Sequence, residues 1–399
     1  MRPATRSGPG PRRVAFLHDN PEFGGIETLQ VEISKRLDGA RYEPSVVVTA
    51  PAALQSSRRF EERLRAVGVS CLFGIEGLGF GRKGVETGLR LARLLREQRY
   101  DIAHIVTRTP EASRSLTSAA VLARVPAIVR TEHVSPAPHI DRWTRFKVRP
   151  FDWVTDVILV DSMGDRQQQI ELVGRRPQQI VSSYCGIDPY SFDPEHSVAA
   201  AKQALGFDPD VLIVGTVGRL HEQKGHQYLI AAAARVIASF EGPVRFLIIG
   251  DGPEEQSLRA QAHGLGIAND ICFAGFQPEP LQYMQAMDIV AMPSLWEGFS
   301  ISMQEFMALG KPMVASDHHS FREAMVDGEH GLIVPVADGA ALAHAILRIL
   351  DDSELRGRLG RAAAERARGH FSIQRHVDEL MDIYDRSLQC PTSSRGRVG

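Results

Sequence analysis

Short, continuous apolar runs alternate along the chain with longer stretches in which apolar residues recur at helical spacing. Continuous runs are typical of strands buried on both faces of a parallel sheet, and the stretches between them are typical of the connecting helices. The runs predict strands at residues 14–18, 45–49, 102–106, 127–131, 157–161, 211–217, 244–249, 271–274, 289–292, 313–316 and 332–334. The helices predicted between and after them include 26–37, 85–98, 227–239, 254–263, 340–351 and 373–388.

Each half of this pattern predicts a doubly wound parallel sheet, so the fold class is α/β with two domains. A chain of 399 residues is also too long for one compact core. The break is expected near residues 186–196, where two Asp-Pro pairs occur. The predicted boundaries are a flexible leader at 1–13, domains at 14–190 and 191–370, a final helix at 371–388 and a flexible tail at 389–399.

Composition narrows the class of protein. Hydrophobic residues make up 43% and charged residues 24% of the chain, as in soluble globular proteins. Lys and Arg total 46 against 48 Asp and Glu, a balance that disfavours nucleic acid as the main partner. Four scattered cysteines lack metal-site spacing and predict reduced, mostly buried thiols of a cytoplasmic protein. The basic leader lacks the apolar core of a signal peptide, and no run is long enough to span a membrane.

The segment from Pro293 to Glu305 carries the strongest chemical signal. Glu297 and Glu305 lie eight residues apart on either side of a glycine turn, between a predicted strand and a short helix that Gly310 ends. A strand, a glycine turn and a helix N-terminus form an anion site. Carboxylates on both sides would repel the anion unless they contact something neutral attached to it, such as sugar hydroxyls, which indicates a nucleotide-sugar. The alternative is a capping box, Ser302-x-x-Glu305.

Two further loops follow predicted strands. Arg219 and Lys224 lie five residues apart directly after the first strand of the second half, at the sheet edge where ligands bind in such folds. A guanidinium and an ammonium suit a diphosphate, whereas the alternative is a solvated loop. Gly24 and Gly25 follow the first strand of the chain, where they allow close approach of a ligand or form a plain turn.

Weaker candidates lie at the same edges. The Gly250-Asp251-Gly252-Pro253 turn follows a strand and could lie under a nucleoside, although punctuation before a helix explains it equally well. His133 ends a strand of the first half, and a lone histidine is more often structural than catalytic. The G-x-G-x-x-G match at residues 79–84 is not in the first strand-to-helix turn and lacks the expected acidic residue, so a flexible loop is predicted there.

One basic segment, residues 142–149, contains two aromatic residues among four cations, Arg142, Arg145, Lys147 and Arg149. These residue types are typical of a peripheral contact with an anionic membrane. A solvated helix is the more common explanation of such a segment, and it is the first expectation here.

Together these segments resemble the retaining glycosyltransferases of the GT-B fold, family 4 type. The resemblance runs from Val14 to about Leu388, and its most specific part is the E-x7-E segment followed by Glu305-Phe306-Met307-Ala308-Leu309-Gly310-Lys311-Pro312. It implies two Rossmann-like domains that face each other across a cleft, and a final helix that crosses back to the N-terminal domain.

The resemblance also implies roles. The residues implied to be catalytic are His133, Glu297, Arg219 and Lys224, with Arg219 and Lys224 holding the diphosphate, Glu297 contacting the sugar and His133 placed near both. Glu305 would bind the ribose. The remaining implied donor contacts are Gly24, Gly25, Gly250, Asp251, Gly275, Phe276, Gly298, Phe299 and Ser300. Two positions depart from the family pattern: Cys185 replaces a usual Asn, and His318-His319 replaces a usual Gly-Gly.

The implied reaction transfers a sugar, with retention, from a nucleoside diphosphate sugar to an acceptor hydroxyl in bacterial polysaccharide, glycolipid or glycoconjugate synthesis. UDP is the first expectation for the nucleotide and GDP the second, and the acceptor is a lipid carrier, a polysaccharide or a small molecule. No cofactor or metal site is required, and a divalent cation is compatible but not implied. The alternatives are a sugar-nucleotide epimerase of the same fold and a non-catalytic nucleotide-sugar-binding subunit. The expected location is the cytoplasm, free or at the inner membrane face.

Overall fold

A computed structural model describes residues 10–18, 25–49, 55–72, 82–107, 113–133 and 142–389. The chain forms two compact units, one of residues up to Gly186 together with those from Ile373 onward, and the other of Ile187–Ser372. Gly24, most of the expected leader and almost all of the expected tail lie outside the described residues.

The first unit contains a seven-stranded parallel sheet in the order β3-β2-β1-β4-β5-β6-β7. Its strands are β1 Arg12–His18, β2 Tyr42–Val48, β3 Ser70–Leu72, β4 Ile102–Thr107, β5 Ala127–Glu132, β6 Val157–Val160 and β7 Ile180–Ser182. Its helices are α1 Gly25–Arg36, α2 Gln55–Ala66, α3 Arg82–Glu97, α4 Ser113–Ala123, α5 Arg142–Trp153 and α6 Met163–Gln168, which continues as a π-helical turn. The last helix of the chain, α15 Ile373–Gln389, also belongs to this unit.

The second unit contains a six-stranded parallel sheet in the order β10-β9-β8-β11-β12-β13. The strands are β8 Leu212–Val217, β9 Val244–Ile249, β10 Ile271–Gly275, β11 Ile289–Met292, β12 Met313–Ser316 and β13 Leu332–Val334. The helices are α7 Val198–Ala204, α8 His226–Ser239, α9 Glu255–Gly264, α10 Leu281–Ala286, α11 Ile301–Ala308, α12 His319–Ala324, α13 Gly339–Asp351 and α14 Ser353–His370. In both sheets the order reverses beside the first strand of the unit, which is the switch point where doubly wound folds bind ligands.

Burial explains why the continuous apolar runs become strands. All six residues of β4 are buried, as are all four of β11, because helices cover both faces of each sheet. The core of the second unit includes Phe246, Ile289 and Ile346, none of which is exposed to solvent. The α/β class and the two parallel-sheet domains predicted from the sequence are confirmed.

Two expectations need correction, and two strands were missed. Residues 82–84 of the glycine-rich segment are the first turn of α3 and not a loop, while 79–81 lie outside the described residues. Of the three described cysteines, all free thiols, Cys185 is buried but Cys272 is exposed, because edge strand β10 has a neighbour on one side only. The outer strands β3 and β7 were not predicted, because three residues are too few to form a recognisable run.

Candidate active site

The loops that leave the carboxyl edge of the second sheet are tied to each other through their backbones. The amide of Gly218, after β8, donates to the carbonyl of Ile249 over 2.9 Å, and the amide of Gly250, after β9, donates to the carbonyl of Gly275 over 2.9 Å. Gly250 has a φ of 137°, and a Cβ there would lie 2.0 Å from the Gly218 carbonyl oxygen. Only glycine allows these loops to approach so closely.

The loop after β8 holds Lys224 in a fixed turn. Residues Glu222–Lys224 form a single 3-10 turn, and the His221 ring accepts a hydrogen bond from the Gln223 amide. Gly225 then adopts a φ of 63°, with its Cα so close to the loop after β11 that a Cβ would lie 2.1 Å from the Pro293 carbonyl oxygen. The Gln223 side-chain amide donates to the Trp296 carbonyl over 3.1 Å. These contacts join the loops that carry Lys224 and Glu297.

Lys224 and Glu297 form an ion pair across the joined loops. The Lys224 ammonium lies 2.5 Å from Oε2 of Glu297, which also accepts a hydrogen bond from the Ser294 hydroxyl over 3.1 Å. The side chains keep 20% and 9% of their surfaces exposed, so the pair is shielded but reachable by a ligand. In this arrangement the carboxylate neutralises the cation that the sequence assigned to a diphosphate.

Helix α11 begins directly after this pair. Ser300 is its N-cap and accepts a hydrogen bond from the Met303 amide, which leaves other amides of the first turn available for an anion. The alternative interpretation, a capping box of Ser302 and Glu305, is wrong, since the cap is two residues earlier. No described residue makes a side-chain hydrogen bond or ion pair with Glu305, and burial raises its pKa to about 7.

The other candidate site residues of the second unit differ in how far they are exposed to solvent. Arg219, Asp251 and Phe276 are exposed at the same sheet edge. Phe299 is buried and its ring packs on Phe371, with centroids 5.2 Å apart, so only its backbone is available to a ligand. Helix α9 begins at Glu255 with Glu254 as its N-cap, so Pro253 lies directly before the cap, which agrees with the interpretation of this turn as punctuation of the following helix.

His133 and Gly25 lie in the first unit. His133 directly follows β5, and its Nδ1 lies 2.9 Å from the Asp161 carboxylate that follows the neighbouring strand β6. Asp161 was not singled out in the sequence, although it ends a predicted strand at the same sheet edge, which is the signal that could have found it. The pairing fixes the orientation of the ring. Gly25 is the exposed first residue of α1.

The residues that depart from the family pattern lie at a helix N-terminus and in a buried position. His318 is the N-cap of α12, where its Nδ1 accepts from the Ser320 amide, and its ring lies 3.9 Å from that of His319. Burial, assisted by the neighbouring His319, lowers the pKa of His318 to about 4, so it caps as a neutral ring. Cys185 is buried at the end of the first unit.

Within the part of the chain that the structure describes, no group of three or more His, Cys, Asp or Glu side chains is placed to hold a metal ion. None of the helices there combines the length and apolar character needed to cross a bilayer.

Comparison with known proteins places the chain in a family. Residues 23–190 match the model described as Glycosyltransferase Family 4, and residues 197–366 match the model described as Glycosyl transferases group 1. The phosphatidyl-myo-inositol mannosyltransferase of Mycolicibacterium smegmatis (strain ATCC 700084 / mc(2)155) is 30% identical over 91% of this chain and 90% of that protein. The chain is a family 4-type member of the GT-B glycosyltransferases. The predicted family resemblance is therefore confirmed.

Other similarities are partial or concern the fold alone. The lipopolysaccharide core biosynthesis glycosyltransferase LpsE of Rhizobium meliloti (strain 1021) is 30% identical over 57% of this glycosyltransferase, which spans 64% of that relative's length. The crystal structure of Anabaena Alr3699/HepE in complex with UDP and glucose matches with a TM-score of 0.81 at 22% identity, covering 94% of this chain and 100% of that one. At this identity the match shows a shared fold.

Proposed function

We propose that this chain transfers a sugar from a nucleoside diphosphate sugar to an acceptor hydroxyl, with retention at the anomeric carbon, in bacterial glycoconjugate synthesis. The observation that supports this most is the Lys224–Glu297 pair, placed directly before the N-terminus of α11 at the carboxyl edge of the second sheet. A cation, a carboxylate and the amides of a helix N-terminus at one edge suit a diphosphate that carries a hydroxylated sugar. UDP is the first candidate nucleotide, and the UDP bound to the HepE structure is consistent with it.

The proposed residue roles follow from charge and position. Arg219 and Lys224 would bind the diphosphate and stabilise the negative charge that grows on it as the bond to the sugar breaks. Glu297 would then accept hydrogen bonds from the sugar, and Glu305 from the ribose. Gly250, Gly275 and the backbone of Gly298–Ser300 would lie against the donor, and Asp251 and Phe276 beside it. The proposed roles of His133 near the sugar and of Gly25 near the phosphate come from the family resemblance.

Retention requires that the acceptor attack from the side that the leaving group vacates. In this proposal an oxocarbenium-like centre develops on the sugar, and the departing phosphate takes the proton of the acceptor hydroxyl. The C–O bond to phosphate breaks while a C–O bond to the acceptor forms, so no protein nucleophile is needed. Glu297 therefore acts as a binding and positioning group.

Product analysis tests this proposal. The purified protein is incubated with UDP-sugars and GDP-sugars, with and without candidate acceptors, and the products are identified by mass spectrometry and their anomeric configuration by NMR. A retained glycosidic linkage formed only with acceptor supports the proposal. Conversion of the donor without acceptor would establish an epimerase instead, and donor binding without any turnover would establish a non-catalytic subunit.

The basic segment 142–149 also bears on where the protein is located in the cell. We place the protein in the cytoplasm, with a peripheral contact to the membrane through the basic residues of segment 142–149. Arg145, Lys147 and Arg149 are exposed on α5, and Arg142 begins that helix. Fractionation of cells into soluble and membrane portions, with a salt wash of the membranes, tests this placement.

A further inference from the structure

One side of the first unit exposes large hydrophobic side chains. Helix α3 packs on α4, and α4 packs on α5, so the three helices form one layer, here called the α3–α5 face. Among the described residues of the first unit, every exposed large hydrophobic side chain except Met163 belongs to these three helices. A soluble monomer seldom gathers such residues on one side without a binding partner.

Helix α5 carries three aromatic residues on its outer side. Trp143, Phe146 and Trp153 are 69%, 70% and 57% exposed. At about 100° of rotation per residue, they lie opposite Val148 and Asp152, the two residues of this helix that are buried. The aromatic rings therefore point away from the sheet and have no place in its core.

Helices α3 and α4 extend this apolar surface. Val85 and Leu89 lie one turn apart on α3 and are 63% and 56% exposed. Arg96, on the same flank of α3, donates to the Leu122 carbonyl of α4, so that flank faces α4. Leu122 itself is 50% exposed. The apolar surface therefore includes aliphatic side chains as well as the aromatic ones of α5.

The same three helices are strongly basic. Their sequences contain ten Lys or Arg residues and three Asp or Glu residues, in a chain whose formal net charge is −2. One of the acids, Asp152, is buried in ion pairs with Arg130 and Arg175 and adds no surface charge. On α5 the exposed cations Arg145, Lys147 and Arg149 lie beside the aromatic side chains. Long cationic side chains at the border of an apolar surface suit a boundary between hydrocarbon and anionic headgroups.

Charge and side-chain type decide between possible partners. A second copy of the chain would bring two basic surfaces together, and the like charges would oppose symmetric pairing. A nucleic acid would match the charge and stack on the aromatic rings, but the aliphatic Val85, Leu89 and Leu122 offer it nothing to stack on. An anionic lipid surface matches the cations, the aromatic rings and the aliphatic side chains.

We propose that the α3–α5 face docks on an anionic lipid bilayer. Trp143 and Phe146 lie in the first turns of α5, which begins nine residues after His133, so docking would bring the carboxyl edge of the first sheet close to the bilayer. Taken together with the proposed function, on which this step depends, the acceptor is an amphiphile held in the membrane.

Vesicle co-sedimentation tests the docking. Vesicles of phosphatidylcholine are compared with vesicles of phosphatidylcholine and phosphatidylglycerol at a ratio of about seven to three. We expect binding to the mixed vesicles that weakens as salt is raised, and little binding to phosphatidylcholine alone. Reversing three cations, Arg145→Glu with Lys147→Glu and Arg149→Glu, should weaken the partition by about 100-fold or more, at roughly a factor of five for each cation lost. Replacing the three aromatic residues, Trp143→Ser with Phe146→Ser and Trp153→Ser, should also weaken it.

The matched control reverses three exposed cations of the second unit, Arg235→Glu with Arg348→Glu and Arg361→Glu, and should bind vesicles as the unmodified protein does. Equal loss in both charge variants, or equal binding to both kinds of vesicle, would overturn the proposal. So would a concentration-dependent dimer in sedimentation that the aromatic variant abolishes, because a second copy would then cover the face.

A thermal shift with UDP in the absence of vesicles keeps the two proposals separate. We expect the α5 variants to bind UDP as the unmodified protein does, which also shows that they are folded. If they do not fold, the salt titration of the unmodified protein still decides the docking. Vesicle binding without a UDP shift would contradict the proposed function and leave the docking intact, whereas a UDP shift without vesicle binding would do the reverse.

Discussion

At the scale of single residues, Glu297 and Lys224 are each other's partner in the protein without ligand. Their contact, 2.5 Å between charged atoms, holds the ammonium where a phosphate could replace the carboxylate. A donor diphosphate would therefore have to compete with Glu297 for Lys224, and the released carboxylate would become available to the hydroxyls of the sugar. The pair thus couples binding of the phosphate to binding of the sugar.

This coupling predicts opposite effects of one substitution on binding and turnover. Glu297→Gln removes the competing charge, so UDP should bind about tenfold more tightly, in line with the strength of one charge-assisted hydrogen bond. Sugar transfer should fall, because the amide is a weaker acceptor for the sugar hydroxyls. Calorimetric titration with UDP and steady-state kinetics measure the two effects. The control Glu241→Gln, before β9 and so at the opposite edge of the sheet, should change neither.

Replacing Lys224 should weaken UDP binding, whereas Glu297→Gln should strengthen it. Lys224→Ala should cut turnover strongly and weaken UDP binding, because no other group can take over the position that the turn Glu222–Lys224 and Gly225 fix. The circular dichroism spectrum should stay unchanged. Turnover equal to that of the unmodified protein would reject the role proposed for Lys224.

The raised pKa of Glu305 predicts a pH dependence of binding. With a pKa of about 7, the carboxyl group is mostly protonated at pH 6 and mostly ionised at pH 8. Ribose hydroxyls that donate to it favour the ionised form, so UDP affinity should increase by about tenfold from pH 6 to pH 8. Glu305→Gln should lose this increase and keep only the part that comes from ionisation of UDP itself. An identical pH profile in both proteins would contradict the proposed ribose contact.

Ionisation of Glu305 should also affect folding stability. Stability should fall as the pH rises, whereas UDP affinity should increase. Burial raises the folded pKa of Glu305 above its unfolded value of about 4.5, so stability is fully present below that value and is lost as the pH rises through about 7. The Gln variant has no charge to bury. Its melting temperature should match that of the unmodified protein at pH 4.5 and exceed it at pH 8.

At the scale of elements, the close approach of the loops to one another depends on glycine. Gly225→Ala would place a Cβ 2.1 Å from the Pro293 carbonyl oxygen at a φ of 63°, so the loop would have to move and take Lys224 with it. Gly206→Ala is the matched control, since Gly206 has a φ of 79° but nothing within 4 Å. The control should lose about 1 kcal/mol of folding stability from its left-handed backbone alone. Gly225→Ala should lose more and should also weaken UDP binding, as chemical denaturation and calorimetry would show.

The sequence predicted those elements whose patterns were long or chemically distinctive. Strand β8 and the loop with Arg219 and Lys224 were placed correctly within a residue, because a buried run, a glycine and two cations follow one another. The short edge strands β3 and β7 could not be found from three residues each. The Lys224–Glu297 pair could not be predicted either, since it depends on how the loops after β8 and β11 meet in space.

At the scale of the whole molecule, the last helix belongs to the first unit although the second unit separates them in the sequence. Tyr384 of α15 lies 2.6 Å from the ring of His104 in β4, and the Tyr42 hydroxyl donates to the Met381 carbonyl over 3.2 Å. The sequence pattern predicted a helix at 373–388, and the family resemblance implied that it crosses back to the N-terminal domain. The residues that it contacts were beyond prediction, because they lie more than 270 positions earlier.

Removal of this helix should therefore unfold the first unit selectively. A chain that ends at Ser372 exposes Tyr42 and His104, which α15 otherwise covers. Limited proteolysis should then degrade residues up to Gly186 and leave Ile187–Ser372 intact, with UDP binding retained if the donor site is confined to that unit. The milder change Tyr384→Phe should lose about 1–3 kcal/mol of folding stability, because it leaves Nδ1 of the buried His104 ring without its partner while Nε2 keeps its contact with Thr131. Uniform digestion of both units would show that α15 is not specific to the first.

The central claim is that a donor diphosphate binds between Lys224, Arg219 and the N-terminus of α11. The most direct test is a crystal structure of the protein with bound UDP. We expect phosphate oxygens within hydrogen-bonding distance of the Lys224 ammonium and of the amides that begin α11, with the Glu297 carboxylate moved away from Lys224. A UDP molecule bound elsewhere, with the Lys224–Glu297 pair still closed, would contradict the account.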